Sequence, residues 1–269
     1  MLEGDEMKRI AAFFTKKNMT IIIVLFVFIV CAGVSLGKYL QNIILKSNDR
    51  SVKMVEPEKE ELSSAAIEQL SNDRFPMDVP LVQQMPELPR GCEVTSLTML
   101  LQYMGHVVDK MVLAKQIAHQ PYNDNGFRGN MHTGFVGNMY TFDQPGLGVF
   151  VEPIIQLAQT YVGQNNVIDL TGSSPSKLYE LLDKGIPIWV LTNVQFQPLS
   201  DAEFQTWKTK EGPMNVTYSQ HSVILTGYTA DHLYVNDPLQ SRKNRVISRT
   251  AFEKSWIQMG SQAMAITEE

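Results

Sequence analysis

The 269-residue chain holds two cysteines, Cys31 and Cys92, and five histidines. Cys31 sits within a long apolar run and Cys92 well beyond it, so the two form no disulfide framework. A lone buried thiol is ordinarily a small hydrophobe. Cys92 has a different setting. It follows Pro86, Pro89 and Gly91 and opens a stretch in which Val94, Leu97, Leu100, Leu101 and Met104 recur at helical spacing, with Gly105 as the stop. A thiol in the first turn of a helix meets unsatisfied backbone N–H groups, which favour the thiolate and can hold an oxyanion. That field has a limit: a helix terminus contributes roughly 0.3–2 kcal/mol, whereas taking a thiol from ~8.5 to ~4 needs about 6 kcal/mol. A cationic partner is therefore required, and imidazolium is the usual one.

His106, His119 and His232 fall beside expected helix ends or in a turn, where histidine is commonplace. His132 lies in a glycine-rich loop and stays open as a candidate. His221 opens the strand His221-Ser222-Val223-Ile224-Leu225-Thr226-Gly227-Tyr228, and Asn236-Asp237-Pro238 ends the next strand. Adjacent antiparallel strands bring the start of one beside the end of the other. Asp237 could then accept from the imidazole and fix its tautomer. Cysteine, histidine and aspartate in this order suit acyl transfer through a thioester. Neither His119 nor His132 has partners at metal-ligand spacing, and the glycines near Asn130 precede no helix that could cradle a phosphate. No cofactor or metal is expected.

These side chains need a scaffold, and the pattern supplies an α+β one. Helices are expected from Cys92, over Asp109–His119, over Pro153–Val162 ended by Gly163, and over Pro175–Lys184 ended by Gly185. Asn123–Gly148 carries six glycines and reads as a long loop rather than a core element. Ile186–Val194, Ser222–Tyr228, His232–Asn236, Asn244–Ser248 and Ala263–Thr267 read as strands. Thr250-Ala251-Phe252-Glu253 fits a capping box opening a last helix through Met259. Helices thus dominate the first half and an antiparallel meander the second.

Met19 to Gly37 contains no charged side chain in nineteen residues, enough to span a hydrocarbon core of ~30 Å. Four basic residues precede it and Lys38, Lys46 and Arg50 follow, a slight bias that sets the amino terminus in the cytoplasm. The expected organisation is a cytoplasmic tail (1–18), a transmembrane anchor (19–37), a polar spacer (38–72) and an extracytoplasmic domain (73–269). A cleaved signal peptide is the competing reading, although its apolar region is usually only ~7–15 residues. Residues 51–269 carry 24 acidic and 16 basic side chains, so no basic face exists to neutralise phosphates and nucleic-acid binding is not expected.

Leu88-Pro89-Arg90-Gly91-Cys92-Glu93-Val94-Thr95-Ser96-Leu97 resembles the nucleophile motif of the bacteriocin (double-glycine) leader peptidase-like cysteine peptidases, in their extracytoplasmic bacterial branch. The His221 strand, Tyr234-Val235-Asn236-Asp237-Pro238 and Phe135-Val136-Gly137-Asn138 are similar to that group as well, and the resemblance covers about Val79 to Thr267. It implies a papain-like cysteine peptidase fold, an N-terminal helical part with an antiparallel sheet. It also implies Cys92 as nucleophile, His221 as base and Asp237 as the residue that orients the base. The family places an oxyanion-hole glutamine shortly before the cysteine. Pro86 stands at the usual close spacing, so Gln84 is the expected equivalent, with Gln83 as the alternative. The implied protein is a membrane-anchored extracytoplasmic cysteine peptidase acting on a peptide, protein or cell-wall peptide. The alternatives are a catalytically silent module that binds peptide or cell-wall ligands, and a cytosol-facing leader peptidase.

Overall fold

The computed structural model describes residues 76–267. The expected tail, anchor and spacer, with Cys31, lie outside the described residues. Among the described residues, no helix is long and apolar enough to cross a membrane.

Helix α1 (Cys92–Tyr103) leads into α2 (Lys110–Gln116) and four two-residue strands, β1 (His119–Gln120), β2 (Asn123–Asp124), β3 (Phe127–Arg128) and β4 (Phe135–Val136). Then come α3 (Val151–Val162), β5 (Val167–Asp169), α4 (Pro175–Asp183) and β6 (Ile188–Asn193). The hairpin β7 (Gln205–Thr209) and β8 (Gly212–Val216) precedes β9 (Gln220–Tyr228), β10 (His232–Asn236), β11 (Arg245–Ser248), α5 (Arg249–Gln258) and β12 (Ala263–Ile266).

Six strands form one sheet in the order β11-β10-β9-β6-β12-β5, antiparallel throughout. Its two faces feed two apolar cores. Trp189, Leu191, Ile224 and Met264 pack with α1, α2 and α3, while Val190, Val223, Leu225 and Ala265 pack with Leu178 and Leu182 of α4 and Phe252 and Trp256 of α5. Helices on both sides explain why β6 and β9 are buried at every residue, so their apolar runs read as continuous rather than alternating.

Several expectations shift. The second helix stops at Gln116 because Ile117 turns extended (ψ 141°), which leaves His119 in β1 rather than at a helix end. The last helix is capped two residues earlier than Thr250: Ser248 accepts from Ala251 N–H, and α5 starts at Arg249. Glu253 bonds Arg249 and Tyr179 instead of closing a capping box. Asn123–Gly148 is irregular, as expected, but it does contribute to the core. Met131, Phe135, Val136 and Met139 are fully buried. The glycines let its backbone fold this closely; a side chain on Gly137 (φ 82°) would strike the Pro145 carbonyl at 2.5 Å.

One irregularity in the sheet bears on the site. Tyr234 opposes Gly227, but Val235 opposes Leu225, so Thr226 is an extra residue in β9. Its freed carbonyl accepts from Met77 N–H at 2.8 Å, docking the chain's incoming segment. Extending the register past the bulge sets Asp237 opposite Val223, on the face shared by His221. The register before the bulge would have set it opposite Ile224, on the other face.

Candidate active site

Cys92 is the first residue of α1. Gly91 caps the helix without a side-chain hydrogen bond, leaving first-turn N–H groups beside the sulfur. Two bonds rivet this turn to the sheet. Trp189 of β6 donates its indole N–H to the Glu93 carbonyl at 3.0 Å, and Ser96 Oγ donates to the Ser222 carbonyl of β9 at 3.0 Å. The thiol therefore lies against the strand that carries His221, facing the backbone N–H of Ser222. Only 7% of Cys92 is exposed. Burial pushes the thiol well above its usual range, Glu93 and Asp237 add to that, and the Ser222 N–H opposes it.

His221 and Asp237 are brought together. His221 Nε2 lies 2.8 Å from Asp237 Oδ1, and both residues are 1% exposed. With Nε2 committed to a carboxylate, Nδ1 is the nitrogen left to accept a proton. Asp237 Oδ1 also accepts from Leu239 N–H at 3.0 Å, and Oδ2 accepts from Arg245 at 2.8 Å. Burial alone would raise this carboxyl, but the imidazole, the Leu239 N–H and the guanidinium outweigh it and hold the group below the ordinary carboxylate range.

Gln84 is buried next to this pair, its backbone N–H donating to the Pro238 carbonyl at 3.0 Å. Its side-chain nitrogen donates to the Leu88 and Pro89 carbonyls at 3.2 and 3.0 Å, closing the turn that leads to Cys92. Lys110 of α2 holds the same turn through the Gln83 and Gln84 carbonyls and Glu87. Gln83 is exposed and bonds the Gln240 carbonyl. His132 stands apart, paired with Glu152 at 2.7 Å on the wall of a cavity of about 670 Å³. Gln220, which also lines that cavity, bonds Glu93 beside the thiol. Among the described residues, no group of three or more His, Cys, Asp or Glu side chains could hold a metal ion.

Sequence reasoning missed four residues here. Arg245 opens β11 opposite Val235, two residues before Asp237, a position that the hairpin pairing of β10 and β11 could have revealed. Its guanidinium also lies 4.8 Å over the Phe196 ring, and that ring meets the His221 imidazole edge-on at 6.1 Å. Phe196 is held left-handed (φ 54°), a costly conformation for a bulky residue that its packing at this site must offset. Glu93 and Gln220 complete the set. Gln220 Nε2 donates to Glu93 Oε1 at 2.9 Å, and Cys92 Sγ donates to Glu93 Oε2 at 3.3 Å.

A buried thiol at a helix start lies against a strand bearing a buried His–Asp pair, and the chain has relatives over this whole region. Residues 76–264 match the profile of the Peptidase C39-like family. The chain is 46% identical over 217 residues to a Bacillus subtilis (strain 168) protein described as uncharacterized protein YvpB, covering 80% of this chain and 84% of that one. A Bacillus anthracis crystal structure, provisionally described as a C39-like peptidase, is also 46% identical. It superposes with a TM-score of 0.70 over 71% of this chain and 96% of its own. This chain belongs to the Peptidase C39-like family.

Proposed function

We propose that the chain is a cysteine peptidase of papain-like fold, acting by acyl transfer with Cys92 as nucleophile, His221 as base and Asp237 as the group that orients the base. The observation that carries this reading is the buried 2.8 Å His221–Asp237 contact on the strand against which Cys92 lies. Asp237 fixes the proton on Nε2, so Nδ1 takes the thiol proton. The thiolate attacks a substrate carbonyl, and the Cys92 N–H donates to the resulting oxyanion. Gln84 is the second donor in this reading. The longer of its two amide bonds, to the Leu88 carbonyl, is the one an oxyanion would compete for. Imidazolium then protonates the leaving amine, and the neutral base activates water against the thioester.

The substrate class in this reading is a peptide, protein or cell-wall peptide, reached outside the cytoplasm by a domain anchored through residues 19–37. Protease accessibility on intact cells tests that topology; a domain protected until lysis would favour the cytosol-facing alternative. Cys92→Ala is expected to abolish both hydrolysis and labelling by a thiol-directed probe. Comparing released peptides from wild-type and Cys92→Ala cells should yield termini that depend on the thiol. Unchanged hydrolysis in the variant would sink the proposal.

A silent binding module is the second reading. It is favoured by the thiol's bond to Glu93 and by the commitment of both Gln84 amide hydrogens to the turn. Failure to turn over an activated acyl ester, while Cys92 still reacts with a small alkylating reagent, would select it.

A further inference from the structure

Glu93 is 1% exposed, and a carboxyl so placed normally meets a cation. This one meets only neutral donors, its own backbone N–H among them. Val149, just ahead of α3, donates its N–H to Oε1 at 3.2 Å, and Gln220 of β9 donates Nε2–H to the same oxygen at 2.9 Å. Trp189 of β6 binds the residue's main-chain carbonyl. Among the described residues, no ion pair reaches Glu93. Asp237, of like charge, also acts on the sulfur, and its own partner is His221. Gly148 closes the enclosure, since a Cβ there would lie 2.4 Å from Glu93 Oε1.

Oε1 already accepts from Val149 and Gln220, and Oε2 faces the sulfur, so the carboxyl's own proton, when present, is placed on Oε2. That oxygen is the one 3.3 Å from Cys92 Sγ, and a single hydrogen fits between them. We propose that Glu93 is a further catalytic residue, which as the neutral acid donates from Oε2 to the Cys92 thiolate and as the carboxylate holds the sulfur as a thiol. In the first state the S–H bond breaks, its electron pair stays on sulfur and its proton passes to His221; the Glu93 O–H bond remains intact with its hydrogen toward sulfur. In the second state the S–H bond survives and points at Oε2. Direct transfer of the thiol proton to the carboxylate is the poorer route, because the ordinary values of the two groups differ by about four units. Burial raises the Glu93 carboxyl above its usual range and so extends the neutral form upward in pH. Gln220 suits this use: an amide pairs Oε1 without the positive charge that would keep the carboxyl ionised.

This role rests on Cys92 being the nucleophile. The rate of Cys92 alkylation by iodoacetamide, which needs no substrate, is followed against pH in the wild-type chain and in Glu93→Gln, with turnover of a casein digest measured in parallel. The glutamine removes the charge and keeps a donor toward sulfur. The alkylation midpoint is expected to fall by at least about one pH unit, giving about tenfold more thiolate below both midpoints. An unshifted midpoint overturns the proposal. Should Glu93→Gln fail to fold, the wild-type S–H infrared band, assigned by its loss in Cys92→Ala, must move as the Glu93 carboxyl titrates. A band that stays fixed overturns it equally. A shifted midpoint without turnover of a casein digest would sink the hydrolase reading and with it the catalytic use of Glu93, leaving only its control of the thiol's ionisation; turnover with an unshifted midpoint would overturn the Glu93 role and leave the hydrolase reading standing.

Discussion

Asp237 commits both of its oxygens, Oδ1 to His221 and Leu239 N–H and Oδ2 to Arg245. Removing the guanidinium in Arg245→Met leaves a buried oxygen without that partner, at roughly 1–3 kcal/mol. It also lets the carboxyl rise toward its ordinary value. The acid limb of kcat/KM should then move to higher pH, with partial recovery in Arg245→Lys; an unmoved limb would mean that Arg245 only packs. Asp237→Asn should cost on the order of 10²–10⁴-fold in turnover, because the imidazole loses the acceptor that sets its tautomer. The nearness of His221 and Asp237 was legible from strand order, but the face that Asp237 takes was not, because it depends on the bulge at Thr226. Arg245 and Phe196 were not, since one depends on the pairing of β11 and the other on a left-handed turn. Glu93 was hidden in plain view. An acidic residue in a first helical turn ordinarily faces water, and nothing in the periodicity showed that α1 is buried on every side from Cys92 to Leu101.

At the scale of elements, the segment before α3 acts as the far wall of the site. Gly148 is its critical residue, because a Cβ would stand 2.4 Å from Glu93 Oε1 and 2.6 Å from Gln220 Nε2. Gly148→Ala is therefore expected to destabilise the domain by about 1–3 kcal/mol and to change the alkylation profile of Cys92. Urea unfolding together with thiol labelling reads both, and a variant of wild-type stability and reactivity would refute the close contact. The long loop was recognisable from its glycines, but its buried Met131, Phe135 and Met139 were not. Their burial follows from backbone-to-backbone approach, which leaves no apolar period in the sequence. The hairpin of β7 and β8 does carry a period-2 pattern, buried Trp207, Thr209, Met214 and Val216 alternating with less buried neighbours, but with so few large apolar residues that it went unread.

For the whole molecule, the two buried carboxyls work in opposite directions on stability. Asp237 has a lowered folded value. Its contribution is full above the unfolded value of ~3.9 and is lost as pH falls through the folded one. Glu93 has a raised folded value, so the native state holds the extra proton; its contribution is full below ~4.3 and is lost as pH rises through the folded value. Urea midpoints measured across pH should decline on both sides, with Asp237→Asn flattening the low-pH limb and Glu93→Gln the limb above it. A Glu93→Gln curve parallel to wild type would show that the carboxyl is not titrating in the fold. The division into a helical first part and an antiparallel sheet was readable from element order. Two separate cores on the two faces of one sheet were not, because a strand buried on both sides carries no alternation.

The bulge at Thr226 makes chain length, more than residue identity, the quantity that the site depends on. Sixteen steps separate His221 from Asp237, and side chains alternate sides at each step along a strand. One uncounted residue brings an odd-even mismatch back into phase. Substitutions between the two leave that count untouched. A single insertion or deletion within β9 or β10 would send the carboxylate to the opposite side of the sheet, with Cys92, His221 and Asp237 still present in the sequence. A relative can therefore keep all three residue types and still lose the arrangement, and counting the interval is a sharper reading of such a chain than matching its letters.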